Sequence, residues 1–278
     1  MKKTGWTILL ATALSYIPVV GAQEQEQTSE EPFKAADWRK DFSLSIGTKL
    51  WFNKWTTWDD ALIDQDLDGT LDIVGVSSHD SDDYEFTPIP VISVKYQDLF
   101  VSASYFVNTD YRFPTLNPDV DRREWDVAVG YYILPPYLAL TVGFKEIQQD
   151  FSGLEFEVNG PTVGFAGAVP MKWGFSLYSS FAYGFMEMES DAFESLTRGD
   201  DDRDSEYWLV ETGIAYTHDL TPVNLLLSSA TFYAGYRHQQ VETENVAIFG
   251  IGSGSITNTD DDGSDITRGM VIGVNLSF

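Results

Sequence analysis

The chain contains no cysteine among its 278 residues, so a small secreted fold held together by disulfides is excluded. Beyond its first 22 residues it also lacks any run of about twenty apolar residues, the length that a transmembrane helix needs. Basic residues are scarce, with 17 Lys and Arg against 43 Asp and Glu and a net charge of -26. A chain this acidic is repelled by phosphates, so nucleic acid is not an expected partner.

The N-terminus has the features of an export signal. Lys2 and Lys3 precede an apolar stretch at 6–18 that is too short to span a bilayer, and small residues end at Ala22. We predict a cleaved signal peptide over residues 1–22, with an uncleaved membrane anchor as the alternative. Residues 23–41 are rich in Gln and Glu, which predicts a disordered acidic leader in the periplasm.

From Phe42 onward, apolar and polar residues alternate in segments of about ten to fourteen residues, the length that a tilted membrane strand needs. Ten segments follow this pattern: Phe42–Trp55, Tyr84–Tyr96, Leu99–Tyr111, Arg122–Leu134, Tyr137–Gln149, Glu155–Val169, Lys172–Met188, Glu206–His218, Asn224–Gln240 and Ile266–Phe278. We therefore predict that residues 42–278 form one all-β domain, a transmembrane antiparallel up-and-down β-barrel. Ten strands are predicted, with eight and twelve as the alternatives.

The composition of the two faces favours a membrane over water. In several segments one face carries large apolar residues and the other carries mostly small and polar residues, with Gly, Ala and Ser prominent. Trp125, Val127 and Val129, for example, alternate with Asp126 and Ala128. A soluble β-sandwich also alternates, but its polar face is usually rich in Lys, Glu and Thr. We interpret the large apolar face as lipid-facing and the small-residue face as lumen-facing.

Short and long connections alternate along the chain. Gln97-Asp98 and Pro135-Pro136 are tight turns, whereas 56–83, 190–205 and 241–265 are long polar stretches. This asymmetry is typical of outer-membrane barrels, whose long loops face the outside of the cell. An even number of strands then places both termini in the periplasm. Three prolines, Pro88, Pro90 and Pro161, fall inside predicted strands and each removes a ladder hydrogen bond.

The C-terminal hexapeptide Gly273-Val274-Asn275-Leu276-Ser277-Phe278 resembles the terminal assembly signal of Gram-negative outer-membrane β-barrel proteins. In that pattern Gly273 is followed by apolar or aromatic residues at the third and fifth places, here Leu276 and Phe278. Val271 departs from the polar residue usual two places before the glycine. The resemblance implies insertion by the barrel-assembly machinery, a location in the cell outer membrane, and contact with outer-membrane lipid and lipopolysaccharide.

Several charged residues fall on the predicted lumen face: Lys49, Lys95, Asp126, Lys145, Glu211 and Arg237. Counting outward from the Pro135-Pro136 turn places Asp126 directly across from Lys145, where opposite charges would pair. A gated pore or a ligand-binding lumen is one interpretation. The favoured one is a structural charge network that plugs a small barrel, because interiors of this size are nearly filled by side chains.

The first long loop carries the sharpest motif, with oxygen-bearing side chains at the spacing of a calcium loop. Its predicted ligands are Asp64, Asp66, Asp68, Thr70 and Asp72. Gly69 occupies the sixth place, where the chain must turn, and the stretch resembles the nine-residue calcium loops of integrin-type repeat proteins. Gly75 stands where an EF-hand carries its bidentate Glu, so an EF-hand is not expected. The alternative is a solvated acidic loop without a metal.

Enzymatic activity is not expected, although omptin proteases are also ten-stranded barrels. Their chemistry needs paired Asp residues and an Asp–His pair at the extracellular mouth. His218 beside Asp219 falls at a predicted periplasmic turn, and His79 beside Asp80 lacks the remaining groups. The sequence therefore predicts a porin-like or structural surface protein, with a loop-mediated binding protein or adhesin as the second hypothesis and an omptin-like protease as the third.

The calcium loop gives the first testable prediction. Calcium titrated into the wild-type protein should give a saturable calorimetric signal, which Asp66→Ala should abolish because one carboxylate ligand is lost. Equal and silent traces from both proteins would contradict the metal assignment.

Overall fold

The computed structural model describes residues 42–63, 72–113, 119–151, 154–190, 202–221, 226–244 and 263–278. The predicted signal peptide and leader, 1–22 and 23–41, lie outside this part. Within it, no helix has the length and apolarity needed to cross a membrane. The strands are β1 Phe42–Ile63, β2 Asp72–Asp80, β3 Glu85–Tyr96, β4 Leu99–Tyr111, β5 Val120–Leu134, β6 Leu138–Phe151, β7 Leu154–Pro170, β8 Phe175–Glu189, β9 Asp202–Asp219, β10 Ser229–Thr243 and β11 Gly263–Ser277.

Ten of these strands, β1 and β3 to β11, form a closed antiparallel barrel. Each pairs with its neighbour in the chain, and β1 closes the ring against β11, from Ser45 opposite Ser277 to Trp58 opposite Ser264. At the end of the seam the hydroxyls of Ser45 and Ser277 lie 2.9 Å apart. The predicted ten-stranded up-and-down barrel is confirmed.

The first strand continues beyond the barrel, where the sequence predicts a polar loop over 56–83. Its first half pairs with β3, and the segment Thr56–Ile63 pairs instead with β2 as a hairpin. The loop prediction is therefore wrong for the end of β1 and for β2. Strand β2 lies on the same side of β1 as β3 does. It pairs with β1 beyond Asn53, where the ladder between β1 and β3 ends.

Two predicted strands begin several residues later in the structure than the sequence predicts. The segment predicted from Lys172 begins as a single 3-10 turn at Lys172–Gly174, because Trp173 and Gly174 have φ values of 63° and 81°, outside the extended region. The segment predicted from Asn224 enters the sheet only at Ser229. Its Leu226 is apolar but lies outside the ladder and is 78% exposed.

The three strand prolines lie where the ladders are interrupted. Pro88 and Pro90 pair with β1, while the ladder between β3 and β4 begins only at Val91. Pro161 pairs with β6, and the ladder between β7 and β8 skips it and Gly160. Each proline, which lacks a backbone N–H, therefore lies where one of the two neighbouring strands makes no ladder hydrogen bond.

The two faces of the barrel differ as the alternation predicts. Along β5, Glu124, Asp126 and Ala128 are buried in the lumen, while Val127 and Val129 are exposed on the outside. Large apolar side chains cover the outer face of the other strands, among them Phe52, Ile92, Val142, Leu177, Phe232, Met270 and Ile272. An apolar surface this extensive is unfavourable in water and suits lipid contact.

Lumen glycines make room for aromatic rings from the neighbouring strand. Gly130 is paired with Phe100, and a Cβ at Gly130 would collide with the Phe100 ring. Tyr233 covers its partner Gly273 in the same way. In both pairs the aromatic ring lies flat against the inner face of the sheet. Aromatic side chains packed on glycines therefore fill the part of the lumen near the short turns.

Replacing Gly130 with Val should therefore destabilise the barrel by about 1–3 kcal/mol through overpacking. Urea unfolding of the refolded barrel measures the change, and adding Phe100→Ala should recover part of it. Ala234→Val, which adds methyl groups on the outer face, is the matched control and should change stability little. Equal stability of Gly130→Val and wild type would contradict the packing described.

Candidate functional site

The candidate site is a set of polar side chains that fill the middle of the lumen, referred to below as the lumen network. Every member projects from the inner face of its strand and is at most 3% exposed. Its members are Lys49 on β1, Arg122 and Glu124 on β5, Lys145 on β6, Glu211 on β9, and Arg237 and Gln239 on β10.

One half of the lumen network is centred on Glu211. Lys49 Nζ donates to both carboxylate oxygens of Glu211, at 3.0 and 2.9 Å. Arg237 Nη1 donates to Oε2 of the same carboxylate at 3.3 Å. Because Glu211 is buried, the two cations stabilise its charge where water cannot.

The other half is centred on Glu124. Arg122 contacts Oε1 through Nε at 2.9 Å and Nη2 at 2.8 Å, and Lys145 Nζ donates to Oε2 at 2.6 Å. Both carboxylates of the network therefore face two cations each. Charge-assisted bonds of this kind are short and strong when water is excluded.

Gln239 joins the two halves. Its Oε1 accepts from Arg237 Nη2 at 3.1 Å, and its Nε2 donates to Glu124 Oε1 at 2.8 Å. In the ring order, β10 and β5 are five steps apart in either direction, so this bond crosses the full diameter of the barrel. A second bridge, from Gln149 Nε2 on β6 to Asp265 Oδ2 on β11 at 3.0 Å, also joins opposite strands.

Aromatic rings lie against the cations of the network. The guanidinium of Arg237 lies 4.8 Å from the ring centroid of Trp51, and that of Arg122 lies 4.8 Å from Trp55. Lys145 Nζ lies 5.3 Å from the ring of Tyr207. These contacts stabilise the positive charges on their apolar sides.

Apolar clusters fill the lumen on both sides of the network. The first is formed by Trp51, Trp55, Ile89, Val91, Phe106, Tyr111, Phe113, Val120 and Val271. The second is formed by Ile147, Val158, Ala182, Met186, Met188, Tyr207, Leu209 and Val241. These clusters and the network together form a packed core in this part of the lumen.

Comparison with known proteins gives matches in structure only. No protein-family model matches the chain, and no curated protein sequence matches it. The crystal structure of the outer membrane protease OmpT from Escherichia coli is similar with a TM-score of 0.51 and 10% identity, over 85% of this chain and 97% of OmpT. The chain has the fold of an outer-membrane β-barrel.

Two further solved structures are similar at lower scores. Neisserial surface protein A has a TM-score of 0.31 and 13% identity, over 86% of this chain and 97% of that protein. A FadL homologue of Pseudomonas aeruginosa has a TM-score of 0.29 and 8% identity, over 86% and 90%.

All six charged residues predicted for the lumen face do lie on it, but not all join the network. Asp126 stands opposite Lys145 in the ladder, as the turn count predicts, yet Lys145 bonds Glu124. Asp126 accepts instead from Ser104 Oγ at 2.5 Å. Lys95 lies apart, with its Nζ 4.8 Å from the ring of Tyr132.

Three network members were not predicted from the sequence: Arg122, Glu124 and Gln239. The alternation along the strand could have identified them, because side chains two residues apart lie on the same face. Arg122 and Glu124 share the face of Asp126, and Gln239 shares that of Arg237. The sequence does not show which strands face each other across the lumen.

The predicted calcium ligands cannot be placed. Asp64, Asp66, Asp68 and Thr70 lie outside the described residues, and for Asp72 only the backbone, at the start of β2, is described. Among the residues whose side chains are described, no group of three His, Asp or Glu could hold a metal ion. Calcium binding stays a prediction.

The residues of the predicted assembly signal complete the seam. Gly273 stands between Lys49 on β1 and Tyr233 on β10. Leu276 lies on the outer face opposite Ile46, and the Phe278 N–H donates to Leu44 O at 2.8 Å just after β11 ends. Recognition by the barrel-assembly machinery stays a prediction.

The lumen network predicts a specific pattern of stability. Glu211→Ala should lower the free energy of unfolding by about 3–5 kcal/mol, since Lys49 and Arg237 would lose their buried counter-charge. Adding Lys49→Met should recover part of the loss. Glu206→Ala, an exposed carboxylate on the outer face of the same strand, is the control and should cost less than about 0.5 kcal/mol. Equal effects at the two positions in urea titrations would contradict the network.

Proposed function

We propose that the protein is an outer-membrane barrel with its long loops outside the cell and its short turns in the periplasm. The apolar outer face and the closed ladder support this, because a membrane-spanning sheet must leave no backbone edge in lipid. Both ends of the described barrel, Phe42 and Phe278, lie at the end with the short turns.

We further propose that the barrel is a structural surface protein with a closed lumen rather than an open pore. The observation that carries this is the bond from Gln239 to Glu124, which joins opposite strands across the lumen. A solute passing this level would have to separate Glu124 from Gln239, since Arg122 and Lys145 bond Glu124 from its own strand and from the adjacent one. A hydrogen bond to a buried charged group contributes about 1.5–3 kcal/mol.

The alternatives depend on other parts of the chain. A loop-mediated binding protein or adhesin would act through long loops that largely lie outside the described residues, so this second hypothesis stays a prediction. The omptin-like alternative needs an imidazole at the long-loop mouth. Of the two histidines whose side chains are described, His218 lies at the short-turn end and His238 on the outer face of β10. Neither could act as the general base there.

Conductance tests the closed lumen. In planar bilayers the wild-type barrel should carry no steady current, whereas Glu124→Ala combined with Gln239→Ala and Arg237→Ala should open measurable channels. The same number of alanine substitutions on the outer face, at Arg123, Gln148 and Gln240, is the matched control and should leave the barrel closed. A steady ohmic current through the wild-type protein would contradict the proposal.

A further inference from the structure

Two basic side chains stand together on the outer face of the closure seam. Lys54 on β1 and Arg268 on β11 are directly paired in the ladder, and His238 on β10 is the next partner of Arg268. All three alternate with lumen-facing neighbours, so they lie on the outside of the barrel. Like charges directly opposite each other destabilise a sheet unless an anion lies between them.

The pair lies at the upper edge of the apolar band. Along β11 the outer face carries Phe278, Leu276, Val274, Ile272 and Met270 before it reaches Arg268. Ten residues at a rise of ~3.3 Å and a tilt of ~40° correspond to a height of ~25 Å, the height of the apolar band of such barrels. Arg268 is therefore at the level of lipid headgroups.

Protein carboxylates neutralise this pair poorly. Lys54 Nζ lies 3.7 Å from Asp80 Oδ2, an exposed group whose other oxygen accepts from Thr56, and screening by water makes such a pair weak. Among the residues whose side chains are described, no carboxylate lies within ion-pair distance of Arg268. The pair thus keeps a net positive charge on a chain whose net charge is -26.

Several other strands carry mostly carboxylates on their outer face at the long-loop end of the barrel. There, carboxylates stand opposite carboxylates in the ladders: Asp110 and Asp121, Asp121 and Asp150, Glu187 and Asp204, Glu206 and Glu242. An anionic headgroup is repelled by these strands and attracted to the seam between β1 and β11.

Aromatic rings border the pair on both sides. Phe52, the outer-face residue that precedes Lys54 on β1, stacks on Tyr84 with ring centroids 4.8 Å apart. Trp208 stacks on His238 at 4.6 Å on the other side. Rings that combine an apolar body with a polar edge suit the boundary between acyl chains and headgroups.

We propose that Lys54 and Arg268 bind a phosphate group of an outer-leaflet glycolipid. The guanidinium offers two parallel donors to phosphate oxygens and the ammonium adds a point charge. The bound lipid would cover the seam where the first and last strands close the barrel. This site rests on the proposed membrane location and is independent of whether the lumen is closed.

The test uses the full-length mature barrel, refolded in a maltoside detergent that carries no phosphate. Calorimetry compares lipopolysaccharide that bears its lipid phosphates with the same glycolipid after enzymatic dephosphorylation. Wild type should bind the phosphorylated form at least tenfold more tightly, and Lys54→Gln with Arg268→Gln should reduce that preference to less than twofold. Inorganic phosphate at a hundredfold excess should not displace the glycolipid.

Two variants separate charge from folding. Lys54→Arg with Arg268→Lys keeps both charges and should retain at least a fivefold preference. Arg123→Gln removes an outer-face cation on β5 and should leave the preference unchanged. Heat-modifiable gel mobility verifies that each variant is folded. An unchanged preference in the Gln double variant, equal binding of both glycolipid forms, or displacement by inorganic phosphate would overturn the proposal. Cell fractionation tests the membrane location separately.

Discussion

The backbone ladder between β1 and β11 is the constraint on which the rest of the structure depends. A sheet in lipid cannot leave N–H and C=O groups unpaired, so the first and last strands must meet along the whole membrane height. The ladder between β1 and β11 runs without a break from Ser45 opposite Ser277 to Trp58 opposite Ser264. Because the ring closes with ten strands, opposite walls are near enough for two side chains to meet.

That proximity explains why the lumen is built from paired charges and rings. Small residues and glycines let aromatic side chains lie against the wall, as Phe100 does over Gly130. The remaining space is taken by long polar side chains that bond one another, with Gln239 connecting the Glu211 and Glu124 halves. The barrel is therefore held by its ladders and also by bonds across its diameter.

The sequence predicts the local parts of this structure well and the long-range parts poorly. Period-two alternation assigns the faces of the barrel strands, because successive side chains in a strand point to opposite sides. The tight Pro135-Pro136 turn fixes the register that places Asp126 opposite Lys145. The ion pair nevertheless forms with Glu124, two residues from Asp126 along β5, because the long lysine side chain reaches its diagonal neighbour in the ladder. The extension of β1 and the presence of β2 depend on hairpin pairing beyond the barrel, which a polar composition conceals.

A double-mutant cycle on Glu124→Gln and Gln239→Leu, measured by urea unfolding of the refolded barrel, tests directly whether the lumen is closed. These residues lie on strands five steps apart, so they share no ladder and interact only through a contact across the lumen. A coupling free energy of about 1–3 kcal/mol is expected. Additivity within about 0.5 kcal/mol would show that the two walls do not touch and would contradict the closed lumen.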